Sequence, residues 1–357
     1  MHFGQFNLMG YRERGTPTQR LFHEAREQTK LAEEAGFEIA WFAEHHFSNY
    51  CVCPSPLMMV AHCAAVTSRI KLAPAVVVMP LYSPARLIAE IGMADGLSDG
   101  RLILGIGSGY QPYEFERFGA ELSSSKSQTE ELMDMVELAF SKETFSYDGK
   151  HYQLPETHIS AQPVNGMPEI WIAGDSEDIH KIAVKRGYTP MFAGRMHGVD
   201  YIVEQRNRLE SSFKSAGKDT SELSFGVQRF LCVTESREET FQYLDNCRHQ
   251  MRLASALRRR EEVLNGAMMN EIPMPDEISL EEMSKHLLVG DVETIAERLT
   301  DEISKARPSH IMFHLQVGGS SYQLALKSIE LFASEIKPLV EKVLGPLEEF
   351  GISTIEK

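Results

Sequence analysis

Basic side chains are scarce in this sequence. The 357 residues include 36 lysines and arginines against 51 aspartates and glutamates, which gives a formal net charge of −15 at pH 7. Nucleic acids and anionic membrane surfaces are bound mainly through clusters of basic residues. The charge balance therefore disfavours both as partners, and we expect neither nucleic acid nor a membrane.

Long apolar runs and targeting segments are also missing. Although 43% of the residues are hydrophobic, no apolar run reaches the ~18 residues that a membrane-spanning helix needs. The first residues, MHFGQFNLMG, lack the charged start and long apolar stretch of a signal peptide. We therefore predict a cytoplasmic protein.

Cysteine is rare and forms no recognisable framework. There are five cysteines, and the close pair Cys51 and Cys53 lacks the spacing of a zinc site. Reduced thiols in a reducing compartment are the expectation. His45 and His46 suit a shared metal poorly, because adjacent residues of a strand point to opposite faces. We predict no metal site.

What the sequence does contain is an alternation of apolar strands with amphipathic helices. This alternation predicts a parallel α/β sheet, and eight units favour the closed (β/α)8 TIM barrel over an open doubly wound sheet. The rhythm loosens after strands four and seven, where we expect insertions. The predicted strands are 2–9, 37–43, 70–79, 101–107, 169–174, 189–194, 223–233 and 308–316.

One stretch stands apart from this alternation. Residues 265–290 contain an Asn-Gly pair, two prolines and several acids, with little periodicity. A connection of this length is typical of a lid or of a disordered insertion. We interpret residues 258–290 as a mobile lid on a single domain spanning 1–357, and a disordered insertion is the alternative.

Polar or glycine-rich clusters follow three predicted strands at their carboxyl ends, where such barrels build active sites. They are Glu44-His45-His46, the glycine turn 105–109 with Tyr110, and Gly174-Asp175-Ser176. A histidine beside a carboxylate suits proton transfer, glycines let a flat ring approach, and amides at a helix start bind phosphate. Each segment alone also fits a plain role: a solvated strand exit, a tight turn and a helix cap.

Four stretches in order resemble the bacterial luciferase-like flavin-dependent monooxygenases. They are EHHF (44–47), IKLAPAVVVMPLYSPAR (70–86), GRLILGIGSGYQPYEFERFG (100–119) and WIAGDSED (171–178). Two C-terminal stretches, 288–299 and 328–338, fit the same pattern. The resemblance covers nearly the whole chain and rests on the order and spacing of all the motifs together.

The resemblance implies a two-component monooxygenase. Reduced FMN, a dissociable co-substrate, would come from a separate NAD(P)H:flavin reductase and react with O2 to give a C4a-peroxyflavin. That species would oxygenate a small organic substrate, and an aldehyde is one candidate. A homodimer is expected. The alternatives are an F420-dependent oxidoreductase of the same superfamily and a catalytically silent flavin-binding subunit.

The resemblance also implies catalytic and substrate-binding roles. His45 matches the acid/base catalyst, with Glu44 orienting it and His46 behind it. Phe6 and Phe47 would wall the substrate pocket.

Cofactor binding is implied at three places. They are the Ala75-Val76 peptide, matching a cis bond under the flavin ring; Gly107 and Tyr110 beside the ring; and Ser108, Gly174, Asp175 and Ser176 at the phosphate. Two residues depart from the luciferase pattern, because Ser108 replaces an arginine and Ile179 replaces a threonine. Losing a cation should weaken FMN binding by ~1–3 kcal/mol, which Arg195 could offset.

Overall fold

Parallel strands form the central sheet of the computed structural model, which describes residues 1–349. The end of the predicted single domain, residues 350–357, lies outside the described residues. The strands are β1 (His2–Asn7), β2 (Ile39–Phe42), β3 (Lys71–Pro74), β4 (Val77–Val78), β5 (Ile103–Gly107), β6 (Phe145–Asp148), β7 (Gln153–Thr157), β8 (Glu169–Ala173), β9 (Thr189–Ala193), β10 (Gly226–Val233), β11 (Leu264–Asn265), β12 (Met268–Met269), β13 (Leu288–Gly290) and β14 (His310–His314).

Helices occupy most of the connections between these strands. They are α1 (Thr18–Glu34), α2 (Pro56–Ala64), α3 (Pro84–Leu97), α4 (Pro112–Phe118), α5 (Ser125–Ser141), α6 (Glu177–Arg186), α7 (Val199–Ser215), α8 (Arg237–Arg259), α9 (Leu280–His286), α10 (Val292–Ala306), α11 (Tyr322–Leu331) and α12 (Lys337–Leu344). Within residues 1–349, none of them is long and apolar enough to cross a bilayer.

The sheet curls into a barrel. Its hydrogen-bonded order is β3-β2-β1-β14-β10-β9-β8-β5-β4, and every pair is parallel. A parallel bridge from Leu72 to Leu102 joins the two ends of this order. Because β3 and β4 share one strand position, the barrel has eight positions, and the predicted TIM-barrel fold is confirmed.

Helix ends follow local sequence signals. The Ser176 side chain accepts a hydrogen bond from the Ile179 amide at 3.4 Å at the start of α6, and Gly187, with a φ of 74°, ends that helix. Asp291 caps α10 in the same way through the Thr294 amide at 2.7 Å. Apolar residues at a spacing of four then turn one face of α10 inward; they are Ile295, Leu299 and Ile303.

One predicted strand differs in the structure. The single strand predicted over 70–79 is divided into β3 and β4, and the Ala75–Val76 peptide bond between them is cis. The long helix α8 ends at Arg259, where Arg260 adopts a left-handed φ of 61°.

The predicted lid, 258–290, holds more regular structure than its sequence suggests. The strands β11 and β12 form a short antiparallel hairpin within it. Farther along, α9 packs on α8, and β13 pairs in parallel with β10 beside the barrel. The low periodicity of 265–290 did not predict these short elements, and the mobility of the lid stays a prediction.

Inward-pointing side chains fill the barrel in layers. Register partners on parallel strands face the same side, and strand tilt brings residues of alternate strands to one height. The packed interior contains seven buried residues: Ile39, Trp41, Ala73, Ile103, Trp171, Met191 and Met312. Counting along the strands from these residues identifies the two levels nearest the carboxyl ends.

These two levels form the floor of the barrel mouth. The lower one, which we call the mouth layer, consists of Phe6, Ala75, Ala173 and Gln228. The upper layer, one step above it, consists of Ala43, Gly107, Ala193 and His314.

Candidate active site

The mouth floor carries little side-chain volume. Five of its eight positions are alanine or glycine. At Gly107 a Cβ atom would lie 2.7 Å from Val76 Cγ2, so any side chain there would collide with the residue after the cis peptide. The arrangement leaves a shallow, mainly apolar space above the barrel core, and this space fits a flat ring.

Glu44 lies buried at the edge of this floor. Its Oε2 accepts hydrogen bonds from the Val78 amide at 3.1 Å and the Tyr82 hydroxyl at 2.8 Å, and its Oε1 lies 3.0 Å from His46 Nε2. Burial raises the pKa of Glu44, while the three hydrogen-bonding partners act against that rise. Glu44 and His46 therefore hold each other and anchor the loop after β2 to the residues after β4.

His45 has a different carboxylate partner. Its Nδ1 lies 3.1 Å from Glu114 Oε1, and the same oxygen accepts a hydrogen bond from the His46 amide at 2.7 Å. The Gln111 side chain also reaches His45 Nδ1, at 3.0 Å. The expectation that Glu44 orients His45 is thus wrong in this structure, since Glu44 bonds to His46. Adjacent residues of an extended segment point to opposite sides, so the Glu44 side chain points away from the His45 ring.

Glu114 is a residue that the sequence analysis missed. It is 1% exposed and lies in the first turn of α4, the helix that follows the glycine turn after β5. An acid in the first turn of a helix is usually explained by the helix dipole. Its position in the sequence could have indicated its role, because it is a carboxylate in a helix that begins at the barrel mouth.

Two tyrosines enclose the His45 ring. The Tyr50 and Tyr110 rings lie 4.8 and 5.6 Å from it, centroid to centroid, and the two hydroxyls are 3.4 Å apart. Burial raises the pKa of both phenols, so both stay protonated at neutral pH. His45 is therefore held by one carboxylate, one amide and two aromatic rings.

The predicted phosphate-binding loop lies at the start of α6. Gly174, with a φ of 150°, leads into Asp175, whose Oδ2 accepts from Arg195 at 2.9 Å and from the Tyr201 hydroxyl at 3.0 Å. The Ser176 hydroxyl caps the helix. Arg195, the cation that could offset the missing luciferase arginine, thus lies beside this loop. It is paired with Asp175, an acid that would repel a phosphate.

The two predicted pocket phenylalanines have different surroundings. Phe6 belongs to the mouth layer and meets the His314 ring edge-on, with centroids 5.2 Å apart. Phe47 is 47% exposed and packs on Phe118 of α4, with centroids 5.3 Å apart. Their predicted common wall stays a prediction.

A small cleft opens at the rim on the side of β1, β2 and β14. It is lined by Gly10, Tyr11, Asn49, Tyr50, His249, Gln250, Leu253 and Gly318. The β11–β12 hairpin covers this rim: the Asn49 amide donates to the Ala267 carbonyl at 3.1 Å, and the Met269 amide donates to Asn49 Oδ1 at 2.8 Å. Tyr50 lines the cleft and also contacts the His45 ring.

Metal-binding groups do not gather anywhere in residues 1–349. No cluster of three or more histidine, cysteine or acidic side chains suited to a metal occurs there. Burial raises the pKa of the Cys51 thiol to about 12 and that of Cys53 well above its usual value. This pair is therefore expected to remain as unreactive thiols.

Comparison with known proteins decides the family. A model of the luciferase-like monooxygenases matches residues 1–309. The chain belongs to this family. The enzyme class expected from the sequence, flavin-dependent monooxygenase, is thereby confirmed.

Two full-length relatives illustrate the luciferase-like monooxygenase family. The uncharacterized protein y4vJ of Sinorhizobium fredii (strain NBRC 101917 / NGR234) is 37% identical and covers 98% of this chain and 100% of its own length. The oxygenase component of a flavin-dependent trigonelline monooxygenase from Acinetobacter baylyi (strain ATCC 33305 / BD413 / ADP1) is 25% identical, over 94% of this chain and 95% of that protein.

Solved structures share the fold at lower identity. Monooxygenase RslO1 from Streptomyces bottropensis has a TM-score of 0.81 at 20% identity, covering 95% of this chain and 99% of its own. The oxygenating constituent of 3,6-diketocamphane monooxygenase from Pseudomonas putida, in complex with FMN, has a TM-score of 0.77 at 20% identity, covering 95% of this chain and 98% of its own. An F420-dependent secondary alcohol dehydrogenase has a TM-score of 0.73 at 15% identity, covering 95% of this chain and 98% of its own. These likenesses concern the fold alone.

Proposed function

We propose that the protein is the oxygenase component of a two-component system, using reduced FMN and O2 to oxygenate a small organic substrate through a C4a-peroxyflavin. The arrangement of the mouth carries this proposal: a floor of small side chains beside the partly buried His45 and its buried partner Glu114. A flat ring and a proton-transfer group can therefore meet there without a metal ligand set.

Bound reduced FMN would supply the electrons that activate oxygen, and the protein would supply positioning and proton transfer. Glu114 fixes the His45 ring through Nδ1, which leaves Nε2 as the atom that exchanges a proton. The β11–β12 hairpin would limit the access of water to the mouth. At the phosphate end, the first amides of α6 and Arg195 would bind the anion.

We further propose that the organic substrate enters by the cleft at the rim. Tyr50 connects the cleft to His45, and the β1, β2 and β14 side lies across the barrel from β8 and the α6 start, so substrate and phosphate would not compete for one opening. Its mixed lining of tyrosines, Leu253 and His249 suits a small molecule with one polar group. An aldehyde fits that description but is not singled out by it.

The partners follow from the same proposal. A separate NAD(P)H:flavin reductase would deliver reduced FMN, as implied for a component system like that of the trigonelline-monooxygenase relative. A homodimer is supported by exposed apolar side chains on the adjacent helices α2 and α3, namely Met58, Met93 and Leu97. Light scattering on the purified protein would give the mass, and a monomer at micromolar concentration would count against the dimer.

The second candidate cofactor is F420, because a dehydrogenase that binds it has the same fold. A titration of the protein with reduced FMN and with F420, followed by fluorescence, distinguishes the two candidate cofactors. We expect FMN to bind and F420 to bind at least ~10-fold more weakly, a difference of about 1.4 kcal/mol. Tight binding of F420 alone would overturn the FMN assignment.

Replacement of His45 tests the proposed chemistry. In His45→Ala the phosphate loop and the mouth floor are untouched, so FMN affinity should stay within about twofold, while loss of a general acid/base should lower oxygenation ~100-fold or more. The measurements are FMN fluorescence titration and product formation from a panel of straight-chain aldehydes and cyclic ketones. His62→Ala, an exposed histidine on α2, is the control. Unchanged turnover in His45→Ala would refute the assigned role.

A further inference from the structure

Gln228 is the polar residue of the mouth layer, whose other members are phenylalanine and alanine. It lies on β10, where its register partners are Ala193 on β9 and Met312 on β14. Two residues earlier, a Cβ on Gly226 would lie 2.5 Å from the Trp171 ring, which marks this face of β10 as the inside of the barrel. The Gln228 side chain therefore points into the barrel just below its mouth.

The amide nitrogen of Gln228 lacks a hydrogen-bond partner in the described chain. The residue is 8% exposed, and its Nε2 makes no hydrogen bond to any of residues 1–349. A buried polar group left unsatisfied destabilises the fold, and such groups are few in folded proteins. The surroundings that the register gives it, Ala193 and Met312, offer no polar atom from a side chain that could bond to it. A ligand on the mouth floor is the remaining source of a partner.

A second unpartnered atom lies close by in the upper layer. His314 is 1% exposed, its Nδ1 has no hydrogen-bond partner within the described chain, and its ring packs between Phe6 and Phe230. Burial lowers the pKa of His314 to about 3, so the ring is neutral. The β10 and β14 side of the mouth thus presents an uncharged amide and an uncharged imidazole, which suit a neutral polar group.

The chemistry of the amide selects the kind of group. A primary amide carries a donor and an acceptor side by side, and rotation about its last bond exchanges them. Its complement is an imide, in which an N–H stands next to a carbonyl. In an isoalloxazine ring only the pyrimidine edge has such groups, because the benzenoid edge is hydrocarbon. We propose that Gln228 binds the pyrimidine edge of the flavin, through N3–H and an adjacent carbonyl; this inference rests on the proposed function.

This contact gives the ring a fixed direction on the mouth floor. The pyrimidine edge lies toward β10 and β14, while His45 and Glu114 stand at the exits of β2 and β5. Gln228 then acts as a positioning residue as well as a source of affinity. It holds the ring by a specific edge where the alanines and glycine of the floor provide only van der Waals contact.

The experiment compares FMN with N3-methyl-FMN, in which the N3–H donor is blocked. Both reduced flavins are titrated anaerobically into the wild-type protein and into Gln228→Leu, which has a similar size and no amide. We expect the wild type to bind FMN ~10-fold more tightly than N3-methyl-FMN. Gln228→Leu should bind FMN ~10-fold more weakly than the wild type does and should no longer distinguish the two flavins.

Gln205→Leu is the matched control. Gln205 is also buried, at 2% exposure, and its Oε1 is also without a partner in the described chain, but it lies on α7 outside the barrel. We expect its flavin affinities to equal those of the wild type. Circular dichroism melting establishes that each variant folds, and Gln228→Met replaces the leucine variant if that one does not.

The outcomes separate this inference from the proposed function. If the wild type binds FMN but treats both flavins alike, or if folded Gln228→Leu retains full affinity and discrimination, the contact is wrong while the proposed function stands. If Gln228→Leu changes only the KM for the organic substrate, the amide faces the substrate and the inference is overturned. If the wild type binds neither flavin, the proposed function itself fails.

Discussion

At the scale of single residues, each of two histidines at the barrel mouth bonds to a different buried carboxylate. Glu44 bonds to His46 and holds the loops after β2 and β4 together, whereas Glu114 bonds to His45. The first pair is therefore structural in character, and the second is the one that orients the proton-transfer group. A carboxylate that fixes the tautomer and direction of a histidine is a recurring feature of acid/base sites.

Exchange of Glu114 for glutamine tests this division. Glu114→Gln keeps an acceptor for the His46 amide but removes the charge beside His45, so turnover should fall ~10–100-fold while FMN affinity is unchanged. Steady-state kinetics and an FMN titration measure the two quantities. Glu121→Gln, on the exposed loop after α4, is the control, and unchanged turnover in Glu114→Gln would contradict the role.

The partner of His45 illustrates what a sequence can and cannot supply at this scale. His45 itself was predictable, because it follows an apolar strand of a barrel. Glu114 is separated from it by 69 positions, and the two meet only because β2 and β5 both end at the mouth. Glu44, the nearest carboxylate in sequence, was preferred for that reason and points the other way.

At the scale of elements, the side chain of Asn49 is a buried attachment of the β11–β12 hairpin. Asn49 is 1% exposed; its Oδ1 accepts from the Met269 amide at 2.8 Å, and its Nδ2 donates to the Tyr11 carbonyl at 2.8 Å. Arg14 donates to the Asn265 carbonyl at 2.8 Å, and Arg12 forms an ion pair with Glu271 just after the hairpin. The ion pair is partly exposed and contributes little.

Asn49→Ala should loosen the hairpin. The Met269 amide and the Tyr11 carbonyl lose their partners, each at a cost of about 1–3 kcal/mol if it stays buried. Hydrogen exchange at residues 264–269 should then become ~10-fold faster or more, with little change in the barrel strands. Asn49→Asp keeps the acceptor for the Met269 amide, so its exchange rate should lie between those of Asn49→Ala and the wild type. Equal exchange in Asn49→Ala and the wild type would show that the hairpin is held by other contacts.

Long apolar elements could be predicted from the sequence, and short or interrupted ones could not. Strands such as β2 and β5 appear as continuous apolar runs, and helix ends follow glycine and cap residues. The strand β13 has three residues, too few to show a pattern, and it exists because β10 offers it an edge. The division of β3 from β4 is likewise invisible in an unbroken apolar stretch, and resemblance to a family, not periodicity, indicated the cis bond there.

At the scale of the whole molecule, four buried histidines make stability depend on pH. Burial lowers the pKa of each of them: His180, His249, His310 and His314. Their pKa values are lower folded than unfolded, so the unfolded chain binds more protons as the pH falls through ~6.5. The stability they contribute is complete above that pH and declines toward the folded pKa values.

The decline can be measured one histidine at a time. Between pH 6 and pH 5 each such histidine costs up to ~1.4 kcal/mol of unfolding free energy per pH unit. His180, 0% exposed and without a partner at either ring nitrogen in the described chain, is the cleanest case. His180→Leu should flatten the slope of unfolding free energy against pH by about that amount, as followed by urea unfolding at pH 7, 6 and 5. Identical slopes for His180→Leu and the wild type would refute the account.

The whole barrel also explains why the mouth takes the form it does. Large side chains, two tryptophans and two methionines among them, fill the interior below it, and the two layers above are mostly alanine and glycine. Large side chains therefore fill the barrel only up to the level below the mouth layer. The small residues above that level leave an open floor at the carboxyl ends of the strands. The layering follows from register and tilt together, and the sequence alone does not give the register.

The central claim is that this floor holds a reduced flavin that reacts with oxygen next to His45. It is tested most directly by mixing the protein, saturated with photoreduced FMN, with oxygenated buffer in a stopped-flow spectrophotometer. The account predicts that the absorbance of a C4a-peroxyflavin forms and persists far longer than with free reduced FMN, before oxidised FMN appears. Direct reoxidation at the rate of free flavin, with FMN shown to be bound, would contradict it.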